Sequence, residues 1–328
     1  MRLPLLIPVT FLVFITFGLA SYKTFAVGSL FVLAMTYGIL KGNEVRWKDR
    51  PLRIINEKPM LWIFSLSLAL IALQILLIRR IPLIEPSAKH LLNPRLTGLT
   101  YFLGVPSSIY LFLRGKKYSL LYPVLVALYG YRTPVLVSFI AFGAAYFEEK
   151  RIKLKHLIVF SILILAGFLG IALIRGEALG AQLIRIQATT SVLDVIISRA
   201  PLHGFYHGAL QWAGIRSYIL GGYSPRYLVA RFLYVKTGVS ITPTLLGGMY
   251  LDFGVLSILE AYLLGLYYGV ISRAKDSFSR VIYYTTLAYG VVGVETGILD
   301  LPVYIFFFIG FYLVLRGKYG IKVVKIAE

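Results

Sequence analysis

Apolar runs separated by short basic stretches fill most of this chain. Leu3–Ala20, Met60–Ile78 and His156–Ile174 come close to the length of a bilayer span, and Val303–Leu315 is shorter but unbroken. A helix needs about 20 apolar residues to cross hydrocarbon. Backbone groups find no water there, so helices are the expected form, and the polar–apolar alternation of a barrel is missing. Spans fall near 4–21, 24–40, 59–78, 98–113, 118–131, 134–148, 156–174, 243–271, 281–298 and 301–315. The fourth to sixth are short and carry Pro106, Pro123 and Pro134. Leu3–Ala20 also has the form of a signal peptide, but a second span starts at Thr24 with almost no soluble segment between. The pattern therefore predicts an all-α polytopic membrane protein of about ten transmembrane helices, one integral domain over 1–328. Residues 175–242 form a long helical loop between the seventh and eighth spans.

Within that loop, 180–200 reads as an amphipathic helix with Leu183, Ile186, Leu193, Ile196 and Ile197 on its apolar side and Arg185 and Arg199 near one face. It would lie on a leaflet or cap the bundle. In the next stretch, HGFYHGALQWAG, His203, His207 and Gln211 fall at i, i+4 and i+8 of a helix. Three readings stay open for the histidines. They could be a zinc pair lacking an evident third ligand, a general base for a hydroxyl, or interfacial residues capping polar contacts.

Charge orients the spans. The formal net charge is +20, which the positive-inside rule explains without a nucleic-acid partner. With the N-terminus cytoplasmic, the inner segments hold 21 Lys and Arg, and the short outer loops hold 6. Both termini are then cytoplasmic and 175–242 is outside, where long loops translocate regardless of charge. There is no cysteine, so thiolate chemistry and disulfides are excluded. With the scarcity of Asn and Gln, this points to a hot habitat.

The long outer loop differs from the inner ones in chemistry. It carries Arg175, Arg185, Arg199, Arg216, Arg226 and Arg231 but only Lys236. Arginine forks match phosphate and carboxylate oxygens bidentately. An anionic ligand and lipid headgroups are the two readings of this excess. Thr133-Pro134, Ser224-Pro225 and Thr242-Pro243 each place a hydroxyl residue before a proline, as a helix N-cap followed by its first residue. Helix starts favour anions, and Arg132 and Arg226 stand beside two of them. Together with Tyr223 and Thr242, these residues predict a site for a phosphorylated group at the outer surface. Of the acids within spans, Asp252 is the functional candidate and Glu260 the structural one; Glu295 and Asp300 lie near the outer end of the ninth.

The stretch from Ser224 to Gly269 resembles the oligosaccharide repeat-unit polymerases, the Wzy-like branch of the O-antigen polymerase and ligase superfamily. The likeness rests on Pro225-Arg226, Lys236, Thr242-Pro243-Thr244 and the run GGMYLDFG ending at Gly254. GYRTPVLVSFIAFG is similar to a second pattern of that family, with Arg132 at an outer helix start and Gly143 after it. The resemblance implies a GT-C type bundle and a metal-independent, inverting glycosyltransferase without cofactor. It implies transfer of a glycan from a polyprenyl diphosphate to a sugar hydroxyl on another lipid-linked unit. A flippase and a chain-length regulator are the protein partners such a system would use. Arg132, Arg226 and Lys236 would then hold the diphosphate, and His203 or His207 would correspond to the histidine of related ligases. The surroundings of both histidines depart from the ligase pattern.

Two further readings compete. A ligase would pass a finished glycan to another acceptor. A lipid-linked glycan flippase or secondary transporter would show paired repeats with helices broken at the midplane, and no such internal symmetry is visible in the sequence.

Overall fold

A computed structural model describes residues 3–45, 57–149, 180–235 and 241–319. The described residues form helices and turns: α1 (Leu6–Phe17), α2 (Tyr22–Glu44), α3 (Glu57–Ile78), α4 (Pro94–Leu113), α5 (Leu121–Ala127), α6 (Arg132–Glu149), α7 (Ala181–His203), α8 (Ala209–Ile219), α9 (Pro225–Phe232), α10 (Leu245–Phe253), α11 (Ser257–Ile271), α12 (Ser277–Thr296) and α13 (Leu301–Tyr319). This is a helical membrane protein. Tyr22–Glu44, Glu57–Ile78, Pro94–Leu113 and Leu245–Ile271 are long and apolar enough to cross a bilayer, and Leu3–Phe17 and Leu301–Arg316 are shorter apolar helices. The expected span at 156–174 lies outside the described residues.

The expected fifth span, 118–131, is not one continuous helix: a 3-10 turn, Lys117–Leu120, precedes the seven-residue α5. This segment still runs from one end of the bundle to the other. At one end Lys116 pairs with Glu57 at 2.9 Å; at the other the Leu83 N–H donates to the Leu128 carbonyl at 3.1 Å. A fully lipid-exposed span could not be so short; here Tyr122, Pro123 and Val126 are buried against protein.

α2 and α11 run side by side in the same direction. Gly38 and Gly42 of α2 meet Gly265 and Gly269 of α11, and a Cβ added at Gly38, Gly42, Gly265 or Gly269 would overlap the carbonyl oxygen of Tyr262, Leu266, Met35 or Ile39 respectively. In lipid there is no hydrophobic drive between helices, so close backbone packing on small residues takes its place. At the C-terminal ends of both helices, the Arg273 guanidinium donates to the Asn43 and Val45 carbonyls at 2.5 and 2.6 Å. It satisfies the acceptors that a helix C-terminus leaves open.

α12 is the central helix. Tyr283, Tyr284, Thr285, Thr286, Leu287 and Ala288 are all buried, and Thr286 is held by the Tyr267 and Tyr268 hydroxyls at 3.1 and 2.7 Å. It touches helices rather than lipid, so its sequence carries polar groups that a lipid-facing helix could not.

Three local expectations are corrected. His203, His207 and Gln211 do not share a helix: α7 ends at His203, and Gly204, His207 and Gly208 take φ of 89°, 50° and 88° before α8 begins. That turn covers a break in the next helix pair. Gly254, at φ 58° and ψ −131°, separates α10 from α11, and the Phe205 ring occupies the space beside it. The Tyr206 and His207 N–H groups donate to the Leu251 and Asp252 carbonyls at 3.0 and 2.9 Å, so the interrupted backbone is satisfied from outside the helix. Second, Leu183 is 54% exposed, whereas Leu193, Ile196 and Ile197 are buried; the apolar side of α7 packs only over its later turns. Third, of the three proline-marked starts only Ser224 caps as expected, accepting from the Tyr227 N–H at 3.3 Å. α6 already begins at Arg132, and α10 is capped by Thr244, whose hydroxyl accepts from the Gly247 N–H at 3.0 Å.

Candidate functional site

A cavity of about 960 Å³ opens at the bundle end opposite Lys116 and Glu57. Helix starts surround it. Pro94, Thr97 and Tyr101 come from α4, Thr133 and Pro134 from α6, Arg226 from α9, and Pro302 and Val303 from α13; Thr242 lies just ahead of α10. Asn93 fixes the first of these starts, accepting from the Arg95 and Leu96 N–H groups at 3.0 and 3.2 Å. Several helix N-termini aimed at one space give it a positive field. Lys89, Arg185 and Arg226 add full charges to its wall, and Tyr131, Tyr218 and Tyr289 supply aromatic surface with polar tips.

Two of these cations are oriented by acids at the end of α12 and just after it. Arg226 donates through both terminal nitrogens to Asp300, Nη1 to Oδ1 at 2.9 Å and Nη2 to Oδ2 at 2.8 Å. Arg185 donates from Nε to Glu295 at 2.5 Å. A bidentate arginine–carboxylate pair fixes the plane of both groups. The Asp300 charge raises the already high basicity of Arg226. Burial, with Asp300 adding to it, pushes the Tyr218 phenol well above its usual range, so it stays a neutral donor.

The residues expected from sequence divide into groups. Arg185, Arg226 and Thr242 line the cavity, and Arg132 stands between the lining residues Tyr131 and Thr133. His203, His207, Arg199, Arg216 and Arg231 are exposed and are not in its lining. Tyr223 is exposed and stacks on Tyr227 at 4.5 Å between ring centroids. Arg175 and Lys236 lie outside the described residues. Asp252 is fully buried, and its two carboxylate oxygens accept the Leu210 and Gln211 N–H groups, each at 2.9 Å. It thus caps α8 in trans, with Glu260 holding the Gln211 side chain at 3.0 Å.

Sequence reasoning left out His90, Lys89, Tyr101 and Tyr218, and did not give Asp300 a role; all five line the cavity. A signal for Asp300 was present, an acid beside a proline-marked helix start at the outer end of a span. Its link to Arg226, 74 residues away, was not.

The family described as "Putative O-antigen polymerase" matches residues 1–307. Two uncharacterised proteins of Methanocaldococcus jannaschii are similar to the chain. One is 30% identical over 267 residues, covering 76% of this chain and 75% of the relative. The other is 25% identical over 239 residues, covering 72% of this chain and 60% of the relative. No solved structure matches.

Proposed function

The chain belongs to the O-antigen polymerase family, and from that premise we propose that it polymerises polyprenyl-diphosphate-linked oligosaccharide repeat units at the outer face of the cytoplasmic membrane. The observation that carries this reading is the cavity, where Arg185 and Arg226 meet several helix starts at one end of an apolar bundle. Its volume accommodates a diphosphate with sugar attached, and its position lets a lipid tail stay in the membrane.

The topology follows the charge. Segments 41–58, 114–117 and 272–280 are rich in Lys and Arg. Contacts of Lys116 with Glu57 and of Arg273 with Asn43 and Val45 fall at the end away from the cavity. That end is the cytoplasmic one, so the cavity faces out. About ten crossings, counted from the sequence with both termini inside, go with this orientation in a bundle of the GT-C type.

Chemically, the reaction is a single displacement with inversion. As the anomeric bond breaks, negative charge grows on the diphosphate. Arg226, Arg185 and the starts of α4, α6 and α9 stabilise that charge, Arg132 stands beside them, and no divalent cation is needed. Asp300 occupies two N–H groups of Arg226, and arginine has five. The remainder are available to phosphate oxygens while the fork is held in place.

The test is to reconstitute the purified protein with polyprenyl-diphosphate oligosaccharide in EDTA and resolve the products by size. A glycan ladder lost in Arg132→Ala and in Arg226→Ala is the expected outcome. One transferred product without a ladder means ligation, and scrambling of intact lipid without bond cleavage overturns both enzymatic readings.

A further inference from the structure

We infer that Asp300 is the general base that takes the proton from the acceptor hydroxyl, held in register with the leaving group by its bond to Arg226. This rests on the glycosyltransferase reading above and adds to it a residue that neither the family match nor the relatives assign.

Four observations carry it. Among the described residues, Asp300 is the one carboxylate lining the cavity. It precedes α13, where its backbone carbonyl accepts from the Val303 and Tyr304 N–H groups at 2.9 and 3.1 Å. An aspartate there commonly turns its side chain back onto the helix start; this one reaches across to Arg226. The pairing leaves each oxygen with a further lone pair, since a carboxylate offers about four acceptor sites. Finally, the groups that share the cavity wall with it come from separate helices: Arg226 on α9, Tyr218 on α8 and Tyr289 on α12. The two phenols can hydrogen-bond sugar hydroxyls, while Asp300 is the group there that can accept a proton as an anion.

The chemistry balances without a further reactant. The acceptor oxygen bonds to the anomeric carbon as the bond from that carbon to the diphosphate oxygen breaks. The electron pair of the breaking bond leaves with the polyprenyl diphosphate. The hydroxyl proton passes to an Asp300 oxygen and then to water. A carboxylate is sufficient because the hydroxyl becomes acidic only as it attacks an oxocarbenium-like centre, as with the carboxylate base of inverting glycosidases. Arg226 bridges the two halves of the event, touching the base on one side and the departing charge on the other.

The experiment compares initial polymerisation rates of the wild type, Asp300→Asn, Asp300→Glu, Asp300→Ala, His90→Ala and Glu85→Gln, with melting temperature measured for each. The expected result for Asp300→Asn is a kcat at least about 100-fold lower, with the donor KM within about threefold of wild type. Formate restores part of the rate to Asp300→Ala. Glu85, exposed and paired with Arg80 outside this cavity, is the carboxylate control, and its variant keeps the wild-type rate. If Asp300→Asn and Asp300→Ala lose the wild-type melting transition, Asp300→Glu decides: a lower kcat at an unchanged melting temperature supports the assignment, and wild-type kcat overturns it. An Asp300→Asn kcat within about tenfold of wild type also overturns it. So does a loss confined to KM, which would make Asp300 only the anchor of Arg226. Loss in His90→Ala with turnover kept in Asp300→Asn moves the base to His90. One transferred product without a ladder from the wild type overturns polymerisation but leaves this assignment to be read from the rate of that single transfer, whereas scrambling without bond cleavage overturns the glycosyltransferase reading and this assignment with it.

Discussion

Asp252 and Asp300 are both acids in an apolar bundle, and their partners give them different work. Asp252 is enclosed, and both its oxygens are spent on backbone N–H groups of α8. Replacing it by alanine leaves two buried donors without acceptors, a cost of about 1–3 kcal/mol for each. Asp252→Ala is therefore expected to lower the melting temperature in detergent by several degrees, read by fluorescence from Trp212, which sits on the capped helix; an unchanged transition would show that the cap contributes nothing. For Arg226 the prediction concerns the fork rather than the charge. Arg226→Lys keeps a cation but cannot hold Asp300 bidentately, and losing one charge-assisted bond of about 1.5–3 kcal/mol lowers kcat/KM by about tenfold or more. Full activity in that variant would mean that charge alone suffices. At this scale the sequence was legible only as a set of residue types. Arginine excess pointed to six residues of the loop, of which Arg185 and Arg226 line the cavity, Arg199, Arg216 and Arg231 do not, and Arg175 lies outside the described residues. It was not legible where a pair defines the role: Arg226 with Asp300, and Arg185 with Glu295, are 74 and 110 residues apart.

Elements were readable where one force dominates them. α3 is a lipid-facing helix, with Trp62, Leu66, Leu73 and Leu76 exposed, and its apolar run marks it directly. α12 is the opposite case, since burial among other helices lets it hold tyrosines and threonines, and hydropathy reports it faintly. The turn after α7 was misread as helix because the spacing of His203, His207 and Gln211 fits one. The glycines at 204 and 208 carry the contrary information, through positive φ values that a spacing rule does not weigh. The α2–α11 contact gives a prediction at this scale. Gly265→Leu would drive a side chain into the Met35 carbonyl, forcing the helices apart along the whole glycine seam. The expected outcome is a protein that no longer purifies as one monodisperse species, or one whose melting temperature drops by more than about 5 °C, whereas Leu263→Ala, on an exposed position of the same helix, leaves both unchanged. Equal tolerance of the two substitutions would mean that the seam is not what joins α2 to α11.

The whole molecule has two chemically distinct ends, and its orientation is where charge counting and geometry can be tested together. Lys116 and Arg273 lie at one end, while the cavity and its helix starts lie at the other. The short α5 segment is decisive for this arrangement. Had 118–131 turned back instead of passing through, α6 would run the other way and Thr133 could not share a cavity with Thr97 and Arg226. The contact of Leu83 with Leu128 carries the chain to the cavity end and preserves the alternation. Because the chain contains no cysteine, single cysteines report sidedness without background. Ser87 is exposed near the cavity and Lys275 is exposed at the basic end. In intact cells stripped of their outer envelope, Ser87→Cys is expected to react with a membrane-impermeant maleimide. Lys275→Cys is expected to react only after the membrane is permeabilised. The reverse pattern would place the cavity in the cytoplasm, and with it any glycan transfer.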